Sequence, residues 1–134
     1  MPSYTFSKKE HLKSEKILGL LFQRGSNSFS KYPLRIVWIE LNPAELEESN
    51  PAFLQAAFTV PKRSFPKAVH RNKIKRKVRE AFRLHKHLLY ERLPAEKLYR
   101  IMFIYTGKEA LRYDKIEAAM MNISERLIQR TSKS

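Results

Sequence analysis

The sequence predicts one α+β domain with its elements in the order helix, three strands, helix, strand, helix. At 134 residues the chain has the size of one ordinary domain, and 43% of its residues are hydrophobic, enough for a single buried core. Helical periodicity and β-branched, aromatic runs alternate irregularly along it, which is typical of the α+β class. Because no internal repeat or linker divides the chain, we expect a single domain over 1–134, with flexible ends at about 1–10 and 131–134.

The first half of the chain predicts a short helix and then three strands. Apolar residues recur at helical spacing from Ser14 to Arg24, where Ser14 is a suitable N-cap and Gly25 a suitable stop. The segments YPLRIVWIEL and PAFLQAAFTV are rich in β-branched and aromatic residues, and the first of the three strands occupies SFSKY or merges with its neighbour. The acidic stretch NPAELEESN, between the two long segments, predicts a connecting loop at a hairpin tip.

The second half predicts a long helix, a buried strand and a final helix. The long helix runs from about Asn72 to between Tyr90 and Arg92, ahead of Pro94. The apolar run KLYRIMFIYT follows as a strand, and YDKIEAAMMNISERLIQR then returns to helical spacing with Asp114 able to cap its start.

Net charge is the outlying property of the composition. The formal charge is +14 and the pI about 10.2, a balance that favours polyanionic partners. With zero Cys there is no disulfide framework, thiol nucleophile or thiolate metal site, which fits a reducing cytoplasm. Neither a secretory signal nor an apolar run of membrane length is present, so we predict a cytoplasmic protein without a membrane partner.

The charge is organised on the long helix. On a helical wheel one side is apolar, and the opposite side forms a basic ridge flanked by Lys73 and Lys77. The apolar side consists of Ile74, Val78, Ala81, His85 and Leu88, and the basic ridge of Asn72, Lys75, Arg76, Arg79, Arg83 and Lys86. A solvated helix face can be charged too, but such faces usually mix signs, whereas residues 62–86 hold eleven Lys or Arg and one Glu. We therefore interpret the ridge as an RNA phosphate-binding surface.

The ordered residues of this helix resemble the signature of the bacterial ribonuclease P protein subunit. That signature reads Arg-Asn-x-x-Lys-Arg-x-x-Arg-Glu, followed by an apolar and aromatic pair and preceded by Ala-Val. The matching positions are Ala68, Val69, Arg71, Asn72, Lys75, Arg76, Arg79, Glu80 and Phe82. The similarity extends more thinly to Phe22-Gln23-Arg24-Gly25 and to a strand end at Val60, Lys62 and Arg63. Family members commonly have Lys-Lys-x-Gly before Ala-Val, whereas KRSFPKAV has no Gly and one additional residue, so this loop should differ in shape.

The resemblance implies a fold and a mechanism. The fold is a ribosomal-protein-like sandwich whose strand–helix–strand crossover is left-handed, against the usual right-handed preference. The family's catalyst is a large RNA, which uses Mg²⁺ to cleave the 5′ leader from precursor tRNA, and the protein supplies no catalytic group. The residues that would dock on the catalytic RNA are Arg71, Asn72, Lys73, Lys75, Arg76, Arg79 and Arg83. We expect no tightly bound cofactor and no obligate protein partner, and any metal ligands on the protein stay undetermined.

A second surface, formed by the first helix and a face of the sheet, holds the single-stranded leader in that family. Phe22 matches an aromatic position there, Leu18 takes the corresponding position one turn earlier, and Lys62 and Arg63 would flank the groove. From spacing alone, Phe22 fits the core of an amphipathic helix equally well. The acidic loop at Glu45 to Glu48 is expected at the end of the molecule far from the RNA.

Three other functions are open on the sequence. A ribosomal or general RNA-binding structural protein would also be small and basic, but it does not require the ordered signature. A DNA-binding regulator is disfavoured because only Asn72 on the ridge suits base edges, so we expect no DNA partner. A protein-only nuclease would need clustered metal ligands, yet the acids lie away from the ridge, and His85 and His87 point to different sides of their helix.

Overall fold

The computed structural model describes residues 5–23, 27–46 and 48–132. Within them, three helices and four strands follow the predicted order. Their bounds are α1 (Glu15–Gln23), β1 (Ser28–Lys31), β2 (Leu34–Leu41), β3 (Leu54–Thr59), α2 (Ala68–Arg92), β4 (Leu98–Tyr105) and α3 (Tyr113–Ser132), with short 3₁₀ turns at Lys8–Glu10 and Pro43–Glu45. Ser14 caps α1 as predicted, since its Oγ accepts the Ile17 N–H at 3.2 Å. The predicted stop at Gly25 lies outside the described residues.

The four strands form one sheet in the order β1-β2-β4-β3. β4 pairs antiparallel with β2 and parallel with β3, so α2 is the crossover between two parallel strands. The prediction of a hairpin tip at the acidic loop is therefore wrong: β4 lies between β2 and β3, and the loop crosses its end. β4 takes the centre because it is apolar and buried on both faces. The left-handed sense of the crossover stays a prediction.

Helices cover both faces of the sheet. Alternate residues of β2 point to opposite faces: Leu34, Ile36 and Trp38 pack with α2 and α3, whereas Val37, Ile39 and Leu41 pack with α1. No helix among the described residues is long and apolar enough to cross a membrane. Among the described residues, the uncovered surfaces include the outer side of α2 and the part of the opposite face that the short α1 leaves open.

The described residues near both ends of the chain belong to the fold, whereas the sequence predicts flexible ends. Residues 5–13, here called the N-terminal strap, run along the free edge of β3, where Leu12 donates its N–H to the Ala56 carbonyl at 3.0 Å. The ring of Phe6 packs 5.7 Å from the rings of both Phe58 and Phe82. We expected residues 1–10 to be a flexible end, but the described part of that segment is built into the core. Thr131, expected in the other flexible end, still lies in α3.

Candidate nucleic-acid interface

Four exposed side chains project from the N-terminal half of α2. Asn72, Lys73, Arg76 and Arg79 are exposed, and within the described ranges none of their side chains makes a hydrogen bond or an ion pair. Lys75 is half-buried beside them. The helix holds this donor array on a rigid backbone because its opposite side, with Ile74 and Val78, is anchored in the core. This arrangement can bind several phosphates of a polyanion at once.

Other cations of the same helix are used to hold neighbouring loops. The Nη1 atom of Arg71 donates to the carbonyls of Phe65 and Pro66 at 2.9 and 2.8 Å. Lys77 donates to the Leu111 carbonyl at 3.0 Å and so ties α2 to the loop before α3. Arg71 retains donors for a ligand, because a guanidinium carries five N–H groups.

Arg83 is paired within its own helix. Its Nε atom donates to Glu80 Oε2 at 3.1 Å, and this hydrogen bond lowers the pKa of Glu80. The same contact raises the pKa of Arg83, whose guanidinium is always charged in proteins. Glu80 thus cancels part of the positive field at the predicted RNA-binding Arg83.

Lys86, expected on the basic ridge, is instead buried, with only 3% of its surface exposed. Its Nζ lies 2.7 Å from both carboxylate oxygens of Glu10, and it also donates to the Thr5 carbonyl. The flank of α2 that carries Phe82, Lys86 and Tyr90 at four-residue spacing is covered by the N-terminal strap. A helical wheel considers only the residues of the helix, so it places Lys86 in solvent. It takes no account of the strap, which comes from the distant start of the chain.

The carboxylate of Glu10 stays charged in this buried position. Burial alone would raise its pKa, but hydrogen bonds from Lys86, the Ser7 backbone and Tyr90 outweigh burial and hold the pKa of Glu10 below its usual value. The Tyr90 hydroxyl donates to Glu10 Oε2 at 2.7 Å, and burial followed by this contact raises the pKa of Tyr90 well above its usual range. The strap is therefore fixed to α2 by a buried ion pair.

The strap also lies beside the ridge. The His11 ring packs 4.1 Å from the ring of Phe6, and burial together with the nearby charges of Lys13 and Arg79 lowers the pKa of His11. His85, which the helical wheel places on the apolar side of α2, instead makes a polar contact: its Nε2 lies 2.9 Å from Glu117 Oε2 on α3. Among the described residues no cluster of three or more His, Asp or Glu side chains could hold a metal ion.

On α1 the structure separates core positions from a surface position. Ile17 and Leu21 are buried against the sheet, Leu18 is half-buried, and Phe22 has 66% of its surface exposed. Phe22 is therefore not part of the core formed by the described residues, and its role in leader binding stays a prediction. An exposed aromatic ring on a basic protein is suited to stacking on a nucleic-acid base.

The predicted groove residues and the acidic loop lie at opposite ends of the sheet. Lys62 and Arg63 are exposed in the turn after β3, at the end where β3 leads into α2. The acidic loop follows Leu41, which pairs with Leu98 at the start of β4. The fold thus keeps the acidic loop away from the ridge, as expected from the sequence.

Two cations near Arg63 belong to none of the sites predicted from the sequence. Arg35 on β2 and Lys108 in the loop after β4 line a cleft together with Arg63. Arg35 carried a signal, since it is the one basic residue in the apolar run LRIVWIEL. Lys108 carried no signal in the sequence, because only the folded chain brings its loop close to Arg35 and Arg63.

Comparison with known proteins gives consistent matches along most of the chain. The family model described as Ribonuclease P matches residues 6–128. The ribonuclease P protein component of Porphyromonas gingivalis strain W83 is 36% identical over 120 residues, covering 89% of this chain and 83% of that protein. The component of the same name from Chlorobium phaeobacteroides is 34% identical over 83 residues, which cover 62% of this chain and 55% of that protein.

Solved structures match the fold. The RNase P protein from Thermotoga maritima superposes with a TM-score of 0.65 at 22% identity, covering 87% of this chain and 96% of that one. The Staphylococcus aureus RNase P protein superposes with a TM-score of 0.62 at 20% identity, covering 88% and 94% of the two chains.

Proposed function

Because the chain belongs to the ribonuclease P protein family, we propose that it binds the catalytic RNA of that enzyme through the ridge of α2 and the 5′ leader of precursor tRNA through the surface around α1. In this role it assists removal of the leader by the RNA. The reaction takes place in the cytoplasm, with catalytic RNA and precursor tRNA as the partners.

The observation that carries this proposal is the unpaired charge of the ridge. Lys73, Arg76 and Arg79 point outward with no acid paired to them among the described residues, although Glu80 lies in the same helix and pairs with Arg83. Clustered like charges repel one another, and a folded protein keeps such a cluster at a cost in stability. Phosphates of a docked RNA would remove that repulsion and release counterions.

The leader-binding part of the proposal rests on Phe22 and the basic turn after β3. Stacking a base on an exposed aromatic ring contributes about 1–3 kcal/mol. Leu18, half-buried beside it, would offer an aliphatic contact to a base or sugar, and Lys62 and Arg63 would bind the leader's phosphates.

In this proposal the polypeptide supplies no general acid, base or nucleophile. Mg²⁺ supplies the Lewis-acid chemistry on the RNA. We assign no metal-dependent step to the protein, because the donors that it presents among the described residues do not form a cluster of three. The protein's contribution is to offset phosphate repulsion and to position the leader.

The test is cleavage of a precursor tRNA with a 5′ leader by the matching catalytic RNA at low Mg²⁺, with and without the protein. We expect the protein to increase the cleavage rate, and Arg76→Ala and Arg79→Ala to weaken this effect. Lys97→Ala is the matched control, since Lys97 lies at the other end of the sheet and bonds to Asn42.

The outcomes separate the candidate functions. Tight RNA binding without any increase in cleavage would favour a ribosomal or general RNA-binding role. Cleavage by the polypeptide alone would refute the proposal that the RNA is the catalyst and the protein only assists it.

A further inference from the structure

Three cations form a basic patch where the first strand meets the last helix. Arg126 and Arg130 lie one turn apart on α3, and both are exposed. Lys31, at the end of β1, is also exposed and points to the same face of the sheet as Phe29, two residues earlier. We call this patch the β1–α3 edge. It shares no residue with the ridge of α2 or with the surface around α1.

Two aromatic rings beneath the patch hold the arginine side chains in place. The guanidinium carbon of Arg126 lies 4.4 Å from the centre of the Phe29 ring. That of Arg130 lies 5.9 Å from the same ring and 5.8 Å from the ring of Trp38. These distances are within the range of cation–π contacts. The two rings pack edge to face at 5.3 Å, and Trp38 is buried in the core. The guanidinium groups are therefore positioned without being neutralised.

Most hydrogen-bond donors of the patch have no protein acceptor. Arg126 uses only its Nη1 atom, which donates to the Ser30 carbonyl at 2.9 Å and lies 3.5 Å from Asn122 Oδ1. The side chains of Arg130 and Lys31 make no hydrogen bond within the part of the chain that the structure describes. Since a guanidinium carries five N–H groups, both arginines keep a planar set of donors that suits phosphate oxygens.

No carboxylate among the described residues forms an ion pair with any of the three cations. Glu125, next to Arg126 in sequence, pairs instead with Arg92 at 2.7 Å. Glu40 lines a neighbouring cleft with Arg130 but is not paired with it. Like charges four residues apart on a helix repel each other. The helix dipole favours a cation in the last turn, which accounts for Arg130 but not for the other two. The patch therefore has the excess charge of a site for an anionic partner.

The β1–α3 edge lies at a distance from the ridge of α2. α2 and α3 run side by side in the same direction, since Lys77 contacts Leu111 just before α3 and Arg92 contacts Glu125 in its second half. An α-helix rises about 1.5 Å per residue, so Arg92 lies roughly 20 Å along α2 from Arg79. The edge begins at the residue after Glu125 and is therefore at about that distance from the ridge.

The shape and surroundings of the edge indicate which anion fits. Phe29 and Trp38 belong to the core beneath α2 and α3, whereas α1 packs on the other face of the sheet. The cleft formed by Phe29, Arg126, Gln129 and Arg130 has a volume of about 280 Å³, smaller than most pockets for organic ligands. None of these residues is a fully exposed large apolar side chain of the kind that inserts into a membrane. A phosphate group bound by the outward guanidinium donors fits this surface best.

We propose that the β1–α3 edge is a second RNA-binding site, at which Lys31, Arg126 and Arg130 bind backbone phosphates. This inference rests on the proposed function, which supplies RNA as the polyanion. Because the edge is roughly 20 Å from the ridge, it would bind either a different segment of the catalytic RNA or the body of the precursor tRNA. Both present the same phosphates, and the experiment distinguishes them.

The experiment measures affinity over a series of salt concentrations with two RNA probes. One is the matching catalytic RNA, bound by the protein alone, and the other is a precursor tRNA, bound by the reconstituted complex of protein and catalytic RNA. Arg126→Gln/Arg130→Gln removes two charges from the edge, and Arg126→Lys/Arg130→Lys keeps them. Lys9→Gln/Lys97→Gln is the matched control, since it removes the same charge outside every proposed RNA surface.

Thermal unfolding of each variant checks that it folds. Arg130→Gln alone provides a second test if the double variant is unstable, because Arg130 makes no hydrogen bond within the described residues.

We expect the Gln variant to bind one of the two probes about tenfold more weakly, from two- to fivefold per exposed charge. With that probe the slope of log affinity against log salt should fall by about two, because each phosphate contact contributes about 0.9. The Lys variant and the control should keep the wild-type slope. A loss with the catalytic RNA would assign the edge to that RNA, and a loss with the precursor tRNA alone would assign it to the substrate.

Unchanged affinity and slope with both probes would overturn the inference. A control, or a Lys variant, whose slope falls as far as that of the Gln variant would overturn it too. Arg76→Ala/Arg79→Ala is measured in parallel. If that variant binds the catalytic RNA as tightly as the wild type, the ridge has no part in RNA binding and the proposed function fails, independently of the result for the edge.

Discussion

Replacing Glu10 by Gln should destabilise the protein far more than the loss of a surface ion pair. The side chains of Lys86 and Glu10 are 4% and 10% exposed, and removing one partner of a buried pair costs about 3–5 kcal/mol. The amide oxygen of Gln can still accept one hydrogen bond from Lys86, so we expect the lower end, about 3 kcal/mol. For a chain of this size that corresponds to a fall in melting temperature of roughly 10 °C.

The assay is urea unfolding followed by circular dichroism, with Glu125→Gln as the matched control. Glu125 pairs with Arg92 at the same distance of 2.7 Å, but these side chains are 43% and 46% exposed. Such a pair contributes no more than about 1 kcal/mol. If Glu10→Gln loses no more stability than Glu125→Gln, the ion pair does not hold the N-terminal strap and our reasoning is wrong.

The same pair predicts how stability depends on pH. The pKa of Glu10 is lower in the folded protein than its usual 4.5, so the unfolded chain binds the proton more readily. The contribution of Glu10 is therefore fully present above about pH 4.5 and is lost as the pH falls through the lower folded pKa. The difference in unfolding free energy between wild type and Glu10→Gln should be large near pH 7 and should shrink in acid. A difference that is independent of pH would contradict this account.

Three further predictions follow from single contacts. Arg76→Ala should reduce the slope of log affinity for the catalytic RNA against log salt by about one, measured by filter binding, and an unchanged slope would remove it from the interface. Gly107→Ala should lower the free energy of unfolding by about 1–3 kcal/mol, measured by thermal unfolding, because the new Cβ would lie 2.9 Å from the buried ring of Tyr105. Gly19→Ala should stabilise α1, because nothing lies within 4 Å of the new Cβ and Ala has the higher helix propensity. Phe22→Ala should weaken leader binding by about 1–3 kcal/mol without loss of stability. The neighbouring Leu21→Ala should instead lose about 2–5 kcal/mol of stability, because Leu21 is buried. A loss of stability in Phe22→Ala without weaker leader binding would show that Phe22 is structural.

The elements could be predicted because their signals are local. Periodicity located α1, α2 and α3 and the apolar run located β4, since each depends on residues a few positions apart. The start of α2 was placed at Asn72 rather than Ala68 because its first turn is exposed and carries no apolar stripe. Hydrophobic periodicity reveals a helix only where one side of it is buried. The exposed first turn of α2 has no buried side, so it produces no such pattern.

The errors arose where distant segments meet. Lys86 follows the ridge on a wheel, yet a strap some 76 positions away covers it and supplies its counter-charge. The acidic loop lies between two strands that are consecutive in sequence, yet β4 pairs with both of them and separates them. Neither the burial of Lys86 nor the position of β4 between β2 and β3 can be detected from the residues that are adjacent in sequence. The exposed side chains of α2 could be located from the sequence because the ordered spacing of the signature is itself local, and their role in RNA binding stays a prediction.

The cations of α2 fall into two groups according to whether they contact another segment of the protein. Arg71, Lys77 and Lys86 each donate to carbonyls or a carboxylate of another segment, and they fix loop 61–67, the loop before α3 and the N-terminal strap. Arg76 and Arg79 make no such contact within the described residues. The unpaired charge is thus displayed on a framework held by contacts within the protein, and under the proposed function this arrangement would lower the entropy lost when RNA binds. Substitutions of Lys77 and Lys86 should therefore lower stability with little change in the salt dependence of RNA binding. Substitutions of Arg76 and Arg79 should reduce that salt dependence with little change in stability.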